Sequence, residues 1–191
     1  MAFSHVSLPS CQWFAQLASS LDKRSAPRLA ALFLGAVIAR GRRTVTSWIR
    51  AVQGGEQYHS YYTALAATGK NAQAIAIGLV LNVIKPLLGG SRRITLAIDD
   101  TPTSRYGPRV EGAGIHHNPT PGPTHDAHVY GHVFVVLALL LTHKAWGTHA
   151  FPLLARMYVR KTDLPKTPAP RRPVFQTKLE MAVASLKWAQ R

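Results

Sequence analysis

The sequence predicts an α/β protein, helical as far as about Gly90 and built from strands and one closing helix from Ser91 onward. Three observations lead there. Before Gly90, apolar residues recur at helical spacing between glycine and polar breaks. After Ser91 come short runs dominated by β-branched and aromatic residues, such as His132-Val133-Phe134-Val135-Val136-Leu137. Near the end, Thr177 followed three residues later by Glu180 marks a new helix start. With 47% hydrophobic residues in 191, the chain can build one full domain or two small ones, which excludes a disordered basic tail.

The first half divides in order. One helix is expected from about Cys11 to Leu21. A second follows Ser25 as N-cap, carries Pro27 in its first turn and ends at Arg40, with Gly41 as the C′ residue. Val45, Ile49 and Val52 then share one helical face and leave Arg43, Thr46, Ser47 and Arg50 on the other. Two readings of that basic face stay open: a helix-turn-helix, with Leu29–Arg40 supporting a recognition helix Thr44–Val52, and an ordinary solvated surface. Further helices are expected over Ser60–Ala67 and Asn71–Lys85, with Gly69, Pro86, Gly89 and Gly90 as breakers. The longest apolar run, Ala72–Leu88, contains Gln73, Asn82, Lys85 and Pro86; it falls short of the ~20 apolar residues of a membrane span and reads as a buried helix. No secretion signal is expected, because Lys23 and Arg24 follow the first mildly apolar stretch instead of preceding it. The single cysteine, Cys11, excludes an internal disulfide and fits a reducing, cytoplasmic compartment.

The second half predicts three strands. Arg93–Asp100 is the first; Tyr130–Leu141 is apolar enough to be covered on both faces; Thr148–Arg160 contains Pro152 and so belongs at an edge or begins after the proline. A Pro-rich basic loop, Lys161–Pro173, leads to the final helix, Thr177–Gln190, whose apolar stripe is Leu179, Val183 and Leu186.

Chemistry concentrates where the first strand ends. Eight acidic residues face 23 Lys or Arg, for a formal net charge of +15, yet Asp99 and Asp100 sit side by side. Paired carboxylates on a buried strand call for a cation, and hard oxygen ligands suit Mg²⁺ or Mn²⁺. The pI near 10.8 points to a polyanionic partner, nucleic acid before membrane. The connection Thr101–Val129 carries Arg105, Tyr106, Arg109, His116, His117, His125 and His128 among several prolines and glycines, so it reads either as a functional loop or as a flexible linker. Candidate DNA contacts are Arg42, Arg43, Arg50, Arg105, Arg109, Lys161, Arg171 and Arg172. A rival reading, a zinc-dependent hydrolase, uses His128 and His132, four apart and therefore on one face of a strand, with His125 and Asp126 nearby.

The segments Leu96-Ala97-Ile98-Asp99-Asp100-Thr101-Pro102-Thr103-Ser104-Arg105-Tyr106-Gly107, Val110–Pro119 and Tyr130-Gly131-His132-Val133 resemble the amino-terminal half of bacterial insertion-sequence transposases of the DDE endonuclease superfamily. The resemblance spans about residues 90 to 190, and the first half is only loosely similar to such proteins' DNA-binding regions. It implies a helical, DNA-binding region over 1–90 and an incomplete ribonuclease-H-like core over 91–191, with a three-stranded antiparallel start of a mixed sheet plus one helix. In that family an Asp, a second Asp and a Glu hold two divalent metals. Asp100 matches the first, with Asp99 as the fallback, and strand alternation lets only one of them face a common site. The other two carboxylates would follow the last helix; Asp163, in a Pro-rich loop, and Glu180, a helix cap, do not substitute. The resemblance therefore implies a truncated transposase that binds transposon-end DNA in the cytoplasm, associated with the nucleoid, and is inactive alone. Mg²⁺ or Mn²⁺ is expected only in a complete core, and no membrane association is expected. A homo-oligomer or a complementing carboxy-terminal half are the partners it suggests. The alternative is a non-catalytic DNA-binding remnant or regulator.

Overall fold

The computed structural model of the protein describes residues 14–88, 93–107, 110–118 and 127–190. The chain divides into two compact units, Met1–Ser91 and Arg92–Arg191.

In the first unit, residues 14–17 are helical and run into a 3₁₀ turn, Ala18–Ser20; Cys11 lies outside the described residues. Helix α1 (Ser25–Ile38) is capped by Asp22 and not, as expected, by Ser25. The Asp22 carboxylate accepts the N–H groups of Arg24 and Ser25 at 2.8 and 3.0 Å, satisfying donors that the helix start leaves free. The Ser25 side chain foremost, and then those backbone bonds, hold its carboxyl below the usual range. Leu29 packs with Ala18 and Leu21 into a small core, flanked by Phe33 and Ile75. Helix α2 (Val45–Ala51) starts at Thr44, whose hydroxyl accepts the Ser47 N–H at 3.2 Å. The two helices meet at Gly35, where a Cβ would fall 2.4 Å from the Trp48 carbonyl oxygen, so only glycine fits the approach.

Helix α3 (Tyr58–Lys70) precedes α4 (Ala72–Leu79), which widens into a π-helical turn, Val80–Ile84, and ends in the short α5 (Lys85–Leu87). The widened turn comes just before Pro86, whose nitrogen has no proton to close an ordinary helical bond. The apolar run here is not wholly buried: Ala76 and Ile84 are, whereas Ile77 and Leu81 are about half exposed at 48% and 54%. No single helix among the described residues is long and apolar enough to cross a membrane.

Among the described residues the second unit is an antiparallel sheet with one α-helix. Its strands are β1 (Thr95–Ser104), β2 (Gly114–His117), β3 (His128–His143) and β4 (Gly147–Tyr158). Long β3 is central, with β1 along one edge and β2 then β4 along the other. This is the expected α/β organisation, consistent with the start of a ribonuclease-H-like core, with three differences. A fourth strand, β2, lies inside what the composition suggested was one long loop; its Gly and His content hides a buried-exposed alternation. Strand β1 runs four residues past Asp100, through Pro102, because an edge strand tolerates a residue that cannot donate. The central β3 is buried on one face only, through Val133, Val135, Leu137 and Leu139; the alternate residues are half-buried. Pro152 sits in edge strand β4 beside a bulge, where the register steps from Leu137↔Leu154 to Ala138↔Pro152.

Helix α6 (Lys178–Ala189) has the full capping box between Thr177 and Glu180. Its stripe is not the expected one. Met181 and Ser185 are buried, while Leu179, Val183 and Leu186 point outward, Leu179 being 79% exposed. The inward face is small, and the buried Ser185 hydroxyl is satisfied by the Met181 carbonyl at 2.9 Å.

Candidate active-site cleft around Asp100

Strand register separates the two neighbouring carboxylates. Asp100 lies opposite Val135 and Asp99 opposite Val136, so Asp100 shares the face of Val133, Val135 and Leu137, and Asp99 the other. The Asp99 carboxylate is exposed and accepts the backbone N–H of Asp100 at 2.8 Å, occupying a donor on the sheet's edge strand. The Asp100 carboxylate instead meets the first residue of α6: its Oδ2 accepts from Lys178 Nζ at 2.5 Å.

Around this pair lies an open cleft of about 700 Å³, lined by Asp100, His116, His117, His128, Tyr158, Arg160 and Lys178 among others. Lys178 Nζ is 5.6 Å from the centre of the Tyr158 ring, a cation–π distance. The His116 ring meets Tyr158 edge-on at 6.1 Å and is buried; its Nε2 has no hydrogen-bond partner among the described residues. Burial, then the charges of Arg160 and Lys178, holds the His116 pKa below the ordinary histidine value, which favours the uncharged imidazole. Arg160 is fixed at the cleft wall, with Nε donating to Asp163 and Nη1 to the Ile115 carbonyl, both at 2.5 Å.

One carboxylate with cationic neighbours, on a sheet that packs against a helix, is an arrangement that can receive a phosphate backbone. A family described as DDE superfamily endonuclease matches residues 16–191. The chain belongs to the DDE endonuclease superfamily. Comparison with curated proteins gave no match, and neither did comparison with solved structures.

Members of the DDE superfamily act on DNA and generally use divalent metals. The described part of this DDE chain does not fit a two-metal site. Asp100 is the one carboxylate lining the cleft, its Oδ2 is held by Lys178, and no cluster of three or more His, Cys, Asp or Glu among the described residues is disposed to bind a metal. The zinc reading is corrected by His132. Arg105 Nε can only donate, so His132 Nδ1 accepts from it at 3.1 Å; Nε2 then carries the proton and donates to the Glu111 carbonyl at 2.9 Å. Neither ring nitrogen is left for a metal; His125 and Asp126 lie outside the described residues.

The basic residues singled out from sequence fall into separate places. Arg42 and Arg43 are exposed in the first unit, and Arg50, also exposed, donates to the Tyr58 hydroxyl at 3.2 Å. In the second unit Arg105 is engaged by His132, Arg171 pairs with Glu111 at 3.0 Å, and Arg172 donates to the Thr167 carbonyl; Lys161 is exposed. Arg109 lies outside the described residues. None of those described lines the Asp100 cleft. Lys178 and Arg160, which do, were hidden, one behind a helix cap and the other beside Lys161. Only the Gly114-Ile115-His116-His117 alternation could have signalled the inward turn of His116.

Proposed function

We propose that the chain is the amino-terminal, DNA-binding portion of an insertion-sequence transposase, and that Asp100 is the first of the three carboxylates of its catalytic core. The observation that carries this reading is the orientation of Asp100 into a cationic cleft while Asp99 is turned to the opposite face. Exposed Arg42, Arg43, Arg50 and Lys161 supply further contacts to phosphates, without reading sequence. In the complete core the reaction is cleavage of the phosphodiester at the element end, followed by attack of the freed 3′-hydroxyl on target DNA; its place is the cytoplasm, on nucleoid DNA. These 191 residues hold one carboxylate of three and do not cleave alone.

Titration of the whole chain with a duplex oligonucleotide at two salt concentrations tests the binding, and plasmid nicking with added Mg²⁺ or Mn²⁺ tests the inactivity. Affinity should fall steeply with salt, because most of the +15 charge would act on phosphates, and no nicking should occur. Salt-independent affinity, or robust nicking by this chain alone, contradicts the reading. A second reading, a non-catalytic DNA-binding regulator, is favoured by the Lys178–Asp100 pair, which neutralises the very carboxylate that catalysis needs. Supplying the other two carboxylates separates the two: cleavage appears in the first reading and not in the second.

A further inference from the structure

Two cations, Arg160 and Lys178, line the Asp100 cleft against the one carboxylate of Asp100. Asp100 pairs with Lys178, and Arg160 is paired from outside the lining by Asp163, which also takes Lys166. Arg160 is held in place by Asp163 and Ile115, leaving Nη2 as its one nitrogen without such a bond among the described residues. His116, 7% exposed, lines the same cleft with an unpartnered Nε2, and a buried imidazole nitrogen without a partner is costly unless something completes it. The Lys178–Asp100 pair is partly in water, at 42% and 35% side-chain exposure, so it is weakly held and its lysine is free to exchange partners.

We propose that Lys178, Arg160 and His116 form a phosphate subsite, in which a phosphodiester oxygen accepts from Lys178 Nζ, Arg160 Nη2 and His116 Nε2–H. This deepens the DNA reading of the cleft and rests on it. Lys178 alternates between Asp100 and the phosphate, so an arriving backbone draws the ammonium away and leaves the Asp100 carboxylate unpaired. The cleft is thereby masked without DNA and opened by it.

The test uses the whole 191-residue chain and two probes, a duplex oligonucleotide and inorganic phosphate. Asp100→Asn frees Lys178 and should tighten duplex binding about threefold beyond the effect of the charge-matched Asp99→Asn. Lys178→Met should weaken binding and reduce the slope of log affinity against log salt by about 1, while Lys187→Met, the same charge change in the last turn of α6, leaves the slope unchanged. Both substituted cleft groups are partly exposed, so the variants should fold. Independently of DNA, the ¹⁵N resonance of His116 Nε2 should move on adding phosphate to the wild type and stay still in Lys178→Met. If Asp100→Asn behaves like Asp99→Asn, or Lys178→Met like Lys187→Met, in a wild type that binds duplex, the subsite is overturned and the DNA reading survives. If the wild type does not bind duplex, the DNA reading falls. A phosphate-induced shift at His116 then assigns the subsite to free phosphate, and no shift overturns the subsite as well.

Discussion

Asp163 and Asp100 are both acids of the second unit paired with cations, yet they are built for opposite purposes. Asp163 is 3% exposed and clamped by Arg160 at 2.5 Å and Lys166 at 2.7 Å; its oxygens lie so close to Gly114 that a Cβ there would fall 2.5 Å away. Asp100 has one partner, Lys178, and opens on a cleft. A carboxylate saturated by fixed donors fastens a turn to a strand. One held by a single mobile ammonium can change partners, which chemistry on a substrate requires.

Removing each acid should expose that contrast. Asp163→Ala leaves the Arg160 guanidinium, otherwise tied to the Ile115 carbonyl, without its counter-charge, and should cost about 3 kcal/mol of stability in denaturant unfolding; Asp100→Ala should cost less than about 1 kcal/mol. Equal losses would erase the distinction. Gly114→Ala tests the tightness of the Asp163 site alone and should cost about 1–3 kcal/mol, since the new methyl meets a fixed carboxylate.

Acid titration of stability gives a further contrast. The hydrogen bond from Arg160, and less strongly that from Lys166, holds the Asp163 carboxyl below its ordinary value against the opposing effect of burial. Its folded pKa lies below the unfolded value of about 3.9, so its stabilisation is present above that value and is lost as pH falls through the folded pKa. Asp163→Asn should flatten this acid limb of the unfolding curve, and an unchanged limb would show that Asp163 is not its source. The smallest effect belongs to Lys178→Met, expected within about 1 kcal/mol of wild type because its ion pair is half in water.

Much of the scaffold was legible in the sequence because local rules write it there. The Thr177–Glu180 capping box and the β-branched run of β3 each depend on residues a few positions apart. Most of what escaped reading depends on distant partners, the cap of the first long helix being the local exception. Asp22 took the capping role from Ser25 because its carboxylate reaches two N–H groups at once. The outward turn of Leu179, Val183 and Leu186 follows from docking the small face of α6 on the sheet, which helical periodicity alone does not reveal. In the site, the opposite facing of Asp99 and Asp100 followed from strand alternation, whereas Lys178 lies 78 residues from Asp100 and Arg160 lies 45 from Ile115, separations that no spacing motif records.

Under the proposed function Asp100, and not Asp99, is the catalytic carboxylate. The most direct test of that assignment is cleavage of element-end DNA by this chain, with Mg²⁺ or Mn²⁺, when a polypeptide carrying the second Asp and the Glu is supplied. Cleavage should appear on complementation, vanish in Asp100→Ala and survive in part in Asp99→Ala. Cleavage that survives Asp100→Ala and is lost in Asp99→Ala would contradict the assignment.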